Sequence, residues 1–426
     1  LPMKAVFVAG VRTPFTRAGS LFAKLSAVEL GRIAVREAVD RSGVDPESID
    51  HLIYGTVVHD PNTPNIAREV GLATLPTSVP ATTVSRACAT ANQAITDAAN
   101  LIEVGQAHTV IAGGAESLSR FPILVSERMA STLAKASKAR SLRQRLSVFG
   151  QLRPRDLVPQ QPRIAEPSTG ESMGEAAERM AKENDIPRAE QDAWSLRSHR
   201  LAAAGTEDGR LTAEMARVYL PPDYATVVEL DNGIRTDTSM ERLAGLKPVF
   251  DRRHGSVTAG NSSPLTDGGS AMVLMSEERA RADGFEVLGR IRSYAYAALD
   301  PGDQLLQGPA LAAPLALDRA GVTMSDIGLM EMHEAFASQV LSNLRWLDSE
   351  AFARERLGRS RKVGHPDPEI INVMGGSIAI GHPFGATGGR VTLTLLNEMR
   401  RRDVELGLIT VCAAGGLGFA MVIERA

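Results

Sequence analysis

A chain of 426 residues with 43% apolar and 23% charged side chains has ample material for a buried core, and its length suggests about three domain-sized units. A formal net charge of -3 does not mark the whole chain as a nucleic-acid binder. Two cysteines exclude a disulfide scaffold and fit a reducing compartment, and no apolar run approaches the ~20 residues of a membrane span, so the default expectation is cytoplasmic.

The first 118 residues alternate strand and helix signals. AVFVAGV (5–11) and HLIYGTV (51–57) are apolar and rich in β-branched residues; the first reads as a strand rather than a signal peptide. Between them, AVELGRIAVREAVDRSG has helical spacing and predicts a C-cap at Gly43. TVIAGGAES (109–117) reads as a further buried strand running into glycines. Strands alternating with helices predict an α/β fold with a largely parallel, covered sheet.

Residues 119 to 250 differ. They include the proline-rich, charged stretch QLRPRDLVPQQPRIAEP (151–167), and they read as a loop domain inserted over the sheets. Within them, residues 120–155 hold nine Lys/Arg against one acid. Helical spacing there makes Met129, Leu133, Leu142, Leu146 and Phe149 available for an apolar stripe.

The last third repeats the theme of the first. VDRSGVDPESIDHL (39–52) and LDRAGVTMSDIGLM (317–330) share Asp-Arg, Gly-Val and Ile at a constant offset of 278. A second strand running into glycines, GLITVCAAGGLG (407–418), parallels TVIAGGAES. A duplicated α/β domain is the economical reading.

Four residues could carry chemistry. Cys88 lies among small residues just before a helix-like run; it is either a filler of core space or a nucleophile whose thiolate the helix dipole favours. His382 sits in GHPFGATGG, where backbone must approach closely; that loop matches neither GxxxxGKS nor GxGxxG, which argues against nucleotide binding there. Cys412 ends a strand and enters AAGGLG in the other half of the duplication. His333 in EMHEAFASQV is either a site residue or, with Glu334, a helix cap. Two cysteines and a histidine could also mean zinc, but their spacing has no CxxC or HxxxH character, and no metal is expected.

Taken together, VRTP, CATANQA, GGAES, LKPVF, TAGNSSPLTDGG, HEAF, GGSIAIGHPFGATGG and CAAGGLG, in this order, resemble the thiolase family over essentially the whole chain. The basic insertion and the HEAF form of its motif resemble the β-subunit of the fatty-acid oxidation trifunctional enzyme. Commoner thiolases have Asn where His333 stands, histidine where Ser172 stands, and a shorter insertion. The resemblance implies a duplicated five-layered αβαβα architecture. An N-terminal domain (1–118, completed by 251–284) and a C-terminal domain (285–426) would flank the loop domain 119–250.

It also implies an acyltransferase of β-oxidation, cleaving 3-ketoacyl-CoA with CoA through an acyl-cysteine. Cys88 would be the nucleophile, His382 its base and Cys412 the second acid/base. His333 and His382 would hold the enolate oxygen, and the backbone N–H groups of Cys88 and Ala414 the acyl oxygen. Arg235 and Ser263 would contact CoA, which is a substrate; no cofactor is implied. Implied partners are a second copy in a homodimer or higher oligomer, a hydratase/dehydrogenase α-subunit, and a membrane surface touched by 120–155. Nucleic acid is not implied. The alternatives are a biosynthetic-direction acetoacetyl-CoA thiolase or condensing enzyme, and a non-catalytic acyl-CoA-binding protein. Ketoacyl synthases lack a counterpart of Cys412, and an intact Cys–His–His–Cys set argues against a non-catalytic role.

Overall fold

The computed structural model describes residues 3–159 and 165–426, so part of the stretch 151–167 lies outside the described residues. Among the described residues twelve strands form: β1 (Ala5–Arg12), β2 (Thr16–Arg17), β3 (His51–Gly55), β4 (Ala81–Val84), β5 (Thr109–Glu116), β6 (Val218–Leu220), β7 (Thr226–Val228), β8 (Thr266–Ser276), β9 (Gly289–Ala298), β10 (Leu329–Met332), β11 (Leu406–Ala413) and β12 (Leu417–Glu424). Nine of them follow the order β10-β11-β12-β9-β1-β8-β5-β3-β4, with β2 beside β8 and β6–β7 as a separate ribbon.

The duplication is visible in the pairing. From β3 the N-terminal half runs parallel to β5, then antiparallel to β8 and β1. From β10 the C-terminal half runs parallel to β11, then antiparallel to β12 and β9. The halves join where Val6 and Phe7 of β1 meet Arg290 and Gly289 of β9. The offset of 278 maps His51 onto Leu329, the first residues of β3 and β10. It also maps Gly43 onto Gly321, and both cap a helix at a φ of 68°. A side chain with a Cβ would strain that left-handed turn, which is why glycine stands at both ends.

The sheet corrects one expectation. Only three of the eight pairings along its path are parallel. In the C-terminal half the strand after the parallel pair returns without a crossover helix: β11 turns straight into β12 through Gly415 and Gly416, both at positive φ.

Three apolar cores give the expected layers. The central one holds the helices Thr90–Glu103 (Ile95, Ala98, Ile102) and Thr387–Arg401 (Val391, Leu395, Met399) between the two sheet halves. One outer core packs the helix Ala27–Ser42 on the N-terminal half. The other packs the helices Gly308–Ala320 and Ala337–Leu347 on the C-terminal half. The central helices are encased, which explains their small residues and the complete burial of polar Asn92, Thr96 and Thr394.

The chain separates into two compact units, one running to Ser119 and resuming at Glu166, the other spanning Arg120–Ala165. The separate unit is thus narrower than the anticipated 119–250. Residues after 166 belong to the main unit because they bury apolar surface there, through Ala176, Ala177 and Met180 and through Trp194. Ser172 is an N-cap whose hydroxyl and Glu175 form a capping box for the helix Met173–Glu183. The small unit contains the helices Glu127–Lys138 and Leu142–Phe149. Its apolar stripe is not covered: Leu142 is 72% and Leu146 62% exposed.

Candidate active site

Cys88 stands two residues before the helix Thr90–Glu103, on a bent turn. Ala87 has a φ of 44°, an uncommon conformation for a residue with a side chain. Thr90 holds it there: its hydroxyl accepts from Arg86 N at 2.8 Å and donates to Ala87 O at 2.6 Å. The turn lifts the half-buried thiol out of the helix and toward the other half of the molecule.

His382 arrives from that other half. Its loop bends at Gly381, where φ is 115° and a Cβ would come within 2.6 Å of Thr266. His382 Nε2 lies 3.2 Å from Cys88 Sγ, and its Nδ1 lies 2.6 Å from Thr387 Oγ1. The Thr387 hydroxyl donates to Pro383 O at 3.2 Å. Its oxygen is therefore free to accept, so Nδ1 carries the proton and Nε2 offers a lone pair to the thiol.

Electrostatics correct the dipole argument made from sequence. Burial pushes the Cys88 thiol up to about 12, further than the N–H groups of Ala414 and Cys88 itself pull it back. Burial, aided by the charge of Arg390, brings His382 down to about 3. The resting pair is a neutral thiol against a neutral imidazole, and the proton moves only as a new bond forms.

His333 follows β10 and is wholly buried. Its ring centroid is 4.1 Å from that of His382. Nδ1 is 2.8 Å from Ser377 Oγ, whereas Nε2 has no partner. Burial first, then His382 and Arg390, hold His333 well below the usual histidine range, so it too is neutral. Glu334 does not cap the following helix Ala337–Leu347. It is buried and accepts from Trp194, Ser198, Asn372 and the backbone of Ile378, which ties the HEAF segment to the loop before His382.

Cys412, near the end of β11, is fully buried and a free thiol. Burial and the proximity of Cys88 raise it well above the ordinary thiol value, so it holds its proton. Ala414 opens the turn into β12, and its N–H is near enough to the Cys88 sulfur to favour the thiolate. The turn is held by Gly415 N donating to buried Glu166 at 2.8 Å. Cys88, His333 and His382 each place one donor atom within 4.8 Å of the others, the single potential metal-ligand group among the described residues. The same convergence suits a reacting carbonyl: one nucleophile, one base and one unpartnered imidazole nitrogen meet, with the N–H groups of Cys88 and Ala414 near the sulfur.

Residues 5–278 match the thiolase N-terminal domain, and residues 285–425 match the thiolase C-terminal domain. The chain belongs to the thiolase family. It is 51% identical to 3-ketoacyl-CoA thiolases of Yersinia enterocolitica and Yersinia pestis over 422 residues, 99% of this chain and 97% of each relative. Its fold resembles the Bacillus anthracis acetyl-CoA acetyltransferase (33% identity, TM-score 0.86, covering 100% of this chain and 99% of that one). It also resembles human mitochondrial 3-ketoacyl-CoA thiolase in complex with CoA (31% identity, TM-score 0.84, covering 100% and 98%).

Beside this thiolase centre is a cleft of about 160 Å³ lined by Arg17, His199, Arg235, Arg242, Ser262 and Pro264 among others. Arg235 lines this cleft, whereas Ser263 does not. The lining instead takes its neighbours Ser262 and Pro264, and Ser263 N donates to Ala335 O at 2.9 Å. Burial first and Arg235 second lower the Arg17 guanidinium, as a nearby like charge does.

Sequence reading missed four residues. Thr387 lies in the glycine-rich loop and gave no signal beyond a hydroxyl in GATGG. Ser377 and Arg390 meet His333 only through folding. Glu116, inside GGAES, accepts from Val57 N, Val58 N, Thr56 Oγ1 and Gly385 N, and so fastens the His382 loop to the end of β3. A carboxylate beside glycines at the end of a buried strand was the available hint.

Proposed function

We propose that this chain is a 3-ketoacyl-CoA thiolase of fatty-acid β-oxidation, transferring the shortened acyl group to CoA through Cys88. The observation that carries the reading is the Cys88–His382 contact at 3.2 Å, facing an unpartnered His333 Nε2. As the sulfur attacks the C3 ketone, its proton passes to His382 Nε2, and the N–H groups of Cys88 and Ala414 receive the developing oxyanion. The C2–C3 bond then breaks and its electrons form the enolate of acetyl-CoA. Protonated His382 and His333 donate to the enolate oxygen. The Cys412 thiol protonates C2.

A thiolate at buried Cys412 is costly, so it readily takes the proton of the incoming CoA thiol. The CoA sulfur attacks the acyl group, and Cys88 leaves with the proton held on His382. No metal or bound cofactor enters these steps. Arg17 and Arg235, beside Arg242 in its ion pair with Asp237, give the neighbouring cleft a guanidinium-rich lining suited to CoA phosphates. The test is CoA-dependent loss of a long-chain 3-ketoacyl-CoA with release of acetyl-CoA. Cys88→Ala should abolish both turnover and the acyl adduct seen by intact mass; an adduct retained by the variant would move the nucleophile elsewhere.

The setting belongs to the same proposal. β4 pairs on one side only, with β3, and an open edge of this kind supports association of two copies. No helix among the described residues is long and apolar enough to cross a membrane. A cytoplasmic enzyme whose unit Arg120–Ala165 docks on an anionic membrane or an α-subunit accords with its cations and uncovered Leu142 and Leu146. Co-sedimentation with anionic and neutral vesicles separates these two occupants. Binding to neither would leave the α-subunit, which size-exclusion of the paired proteins then tests.

A further inference from the structure

The two imidazoles of the site are chemically alike, both neutral and 4.1 Å apart, yet the chemistry asks opposite things of their Nε2 atoms. His382 Nε2 must accept a proton from sulfur. His333 Nε2 must donate a hydrogen bond to an enolate oxygen. Since the unaided preference of a neutral histidine is weak, something must hold each tautomer. Thr387 and Pro383 do so for His382.

For His333 the corresponding group is Ser377. Its oxygen accepts from Arg390 Nη2 at 3.0 Å and lies 2.8 Å from His333 Nδ1. Arg390 is in turn anchored by Glu331, Nη1 to Oε2 at 2.9 Å, and both partners are essentially inaccessible to water. A hydroxyl has one proton to give. Arg390 has no acceptor lone pair, so it cannot take that proton, and Nδ1 is the remaining partner of the Ser377 oxygen. Were Nδ1 protonated instead, a wholly buried hydroxyl proton would lack an acceptor, which costs stability. Two Nε2 lone pairs would also face each other across the site.

We infer that Ser377, oriented by the Glu331–Arg390 ion pair, donates to His333 Nδ1 and thereby fixes His333 as the Nε2–H tautomer that serves as the enolate donor. This rests on the proposed thiolysis for its catalytic meaning, but the tautomer itself does not. Ser377 is a positioning residue: it acts through His333 and touches no substrate. The arrangement parallels other enzymes in which a neutral imidazole, not an imidazolium, polarises a carbonyl.

The experiment has two readouts on the full-length protein. The first is the ¹⁵N chemical shifts of His333 in histidine-labelled enzyme, assigned by comparison with His333→Gln. A protonated-type Nε2 and an unprotonated-type Nδ1 in the wild type are expected; the reverse pattern overturns the inference without reference to activity. The second compares Ser377→Ala and Ser377→Thr in two reactions. C–C cleavage should fall roughly 10–100-fold in Ser377→Ala, somewhat less than the usual loss of a whole oxyanion donor. KM should be unchanged, and acylation of Cys88 by a simple acyl-CoA, which forms no enolate, should stay within about twofold of wild type. Ser377→Thr, which keeps the hydroxyl, should recover most of the cleavage. Equal losses in both reactions, or full cleavage in Ser377→Ala, would reduce Ser377 to a packing role. A wild type that keeps the Nε2–H pattern but cleaves no 3-ketoacyl-CoA would sink the proposed reaction and leave the tautomer assignment standing.

Discussion

The sulfur of Cys88 and Nε2 of His382 are 3.2 Å apart although 294 positions separate them in the chain. Each comes from the same kind of place in its half of the duplicated fold, the turn leading into a central helix. Bringing the two central helices into one core therefore assembles the nucleophile and its base.

That pair rests as thiol and imidazole, and this sets its reactivity. With the thiol pushed up to about 12, alkylation of Cys88 by iodoacetamide should keep rising from pH 7 to pH 10 without a plateau. A thiolate already formed by the helix dipole would react at a constant rate over that range. A plateau below pH 8 in peptide-mapped Cys88 alkylation would show that the dipole outweighs burial after all.

Thr387→Val is nearly isosteric but leaves His382 Nδ1 without its acceptor. The proton can then sit on Nε2, where it cannot serve as base. We expect a loss of about 10–100-fold in kcat/KM, with a Tm within a few degrees of wild type. Normal kcat/KM in this variant would mean that packing alone holds the His382 ring.

Cys412→Ser retains size while raising the group's pKa far beyond reach of neutral pH. Thiolysis should fall by at least about 100-fold, the usual range for a lost general acid, yet Cys88 should still be acylated by an activated acyl-CoA. Stopped-flow cleavage and intact-mass acylation read the two steps separately. Near-normal cleavage would make Cys412 a core residue only.

Glu116 predicts a pH dependence of stability. Burial raises its carboxyl to about 7 from an ordinary 4.5, despite four hydrogen bonds that favour the charged form. The folded protein therefore keeps a proton between pH 4.5 and 7 that the unfolded chain gives up. Its contribution to stability is fully present below 4.5 and is lost as pH rises through 7. Relative to Glu116→Gln, which does not titrate, the wild type should lose on the order of 3 kcal/mol at most across that interval. Denaturation midpoints of both proteins at pH 5 and pH 8 test this; parallel pH profiles would mean that Glu116 is already ionised at pH 5.

The sequence by itself determined the family and the duplication, and it singled out Cys88, His333 and His382, which the fold brings together. Each of these is written locally: Gly43 and Gly321 end equivalent helices, and Cys88, His382 and Cys412 sit in short glycine- or alanine-rich segments whose backbones have few alternatives. Strand direction was less legible, because an apolar run reads the same whether its neighbour is parallel or antiparallel. The protonation states were not legible at all. A helix start next to Cys88 argued for a thiolate, and only the dryness of the assembled site reversed that sign. The partners that choose each tautomer, Thr387 with Pro383 and Ser377 with Arg390, depend on angles and distances of a few ångströms. Such geometry exists only once the two halves close on a common core, so the resemblance named His382 as the base, but the tertiary structure alone shows the groups that hold each histidine in its tautomer.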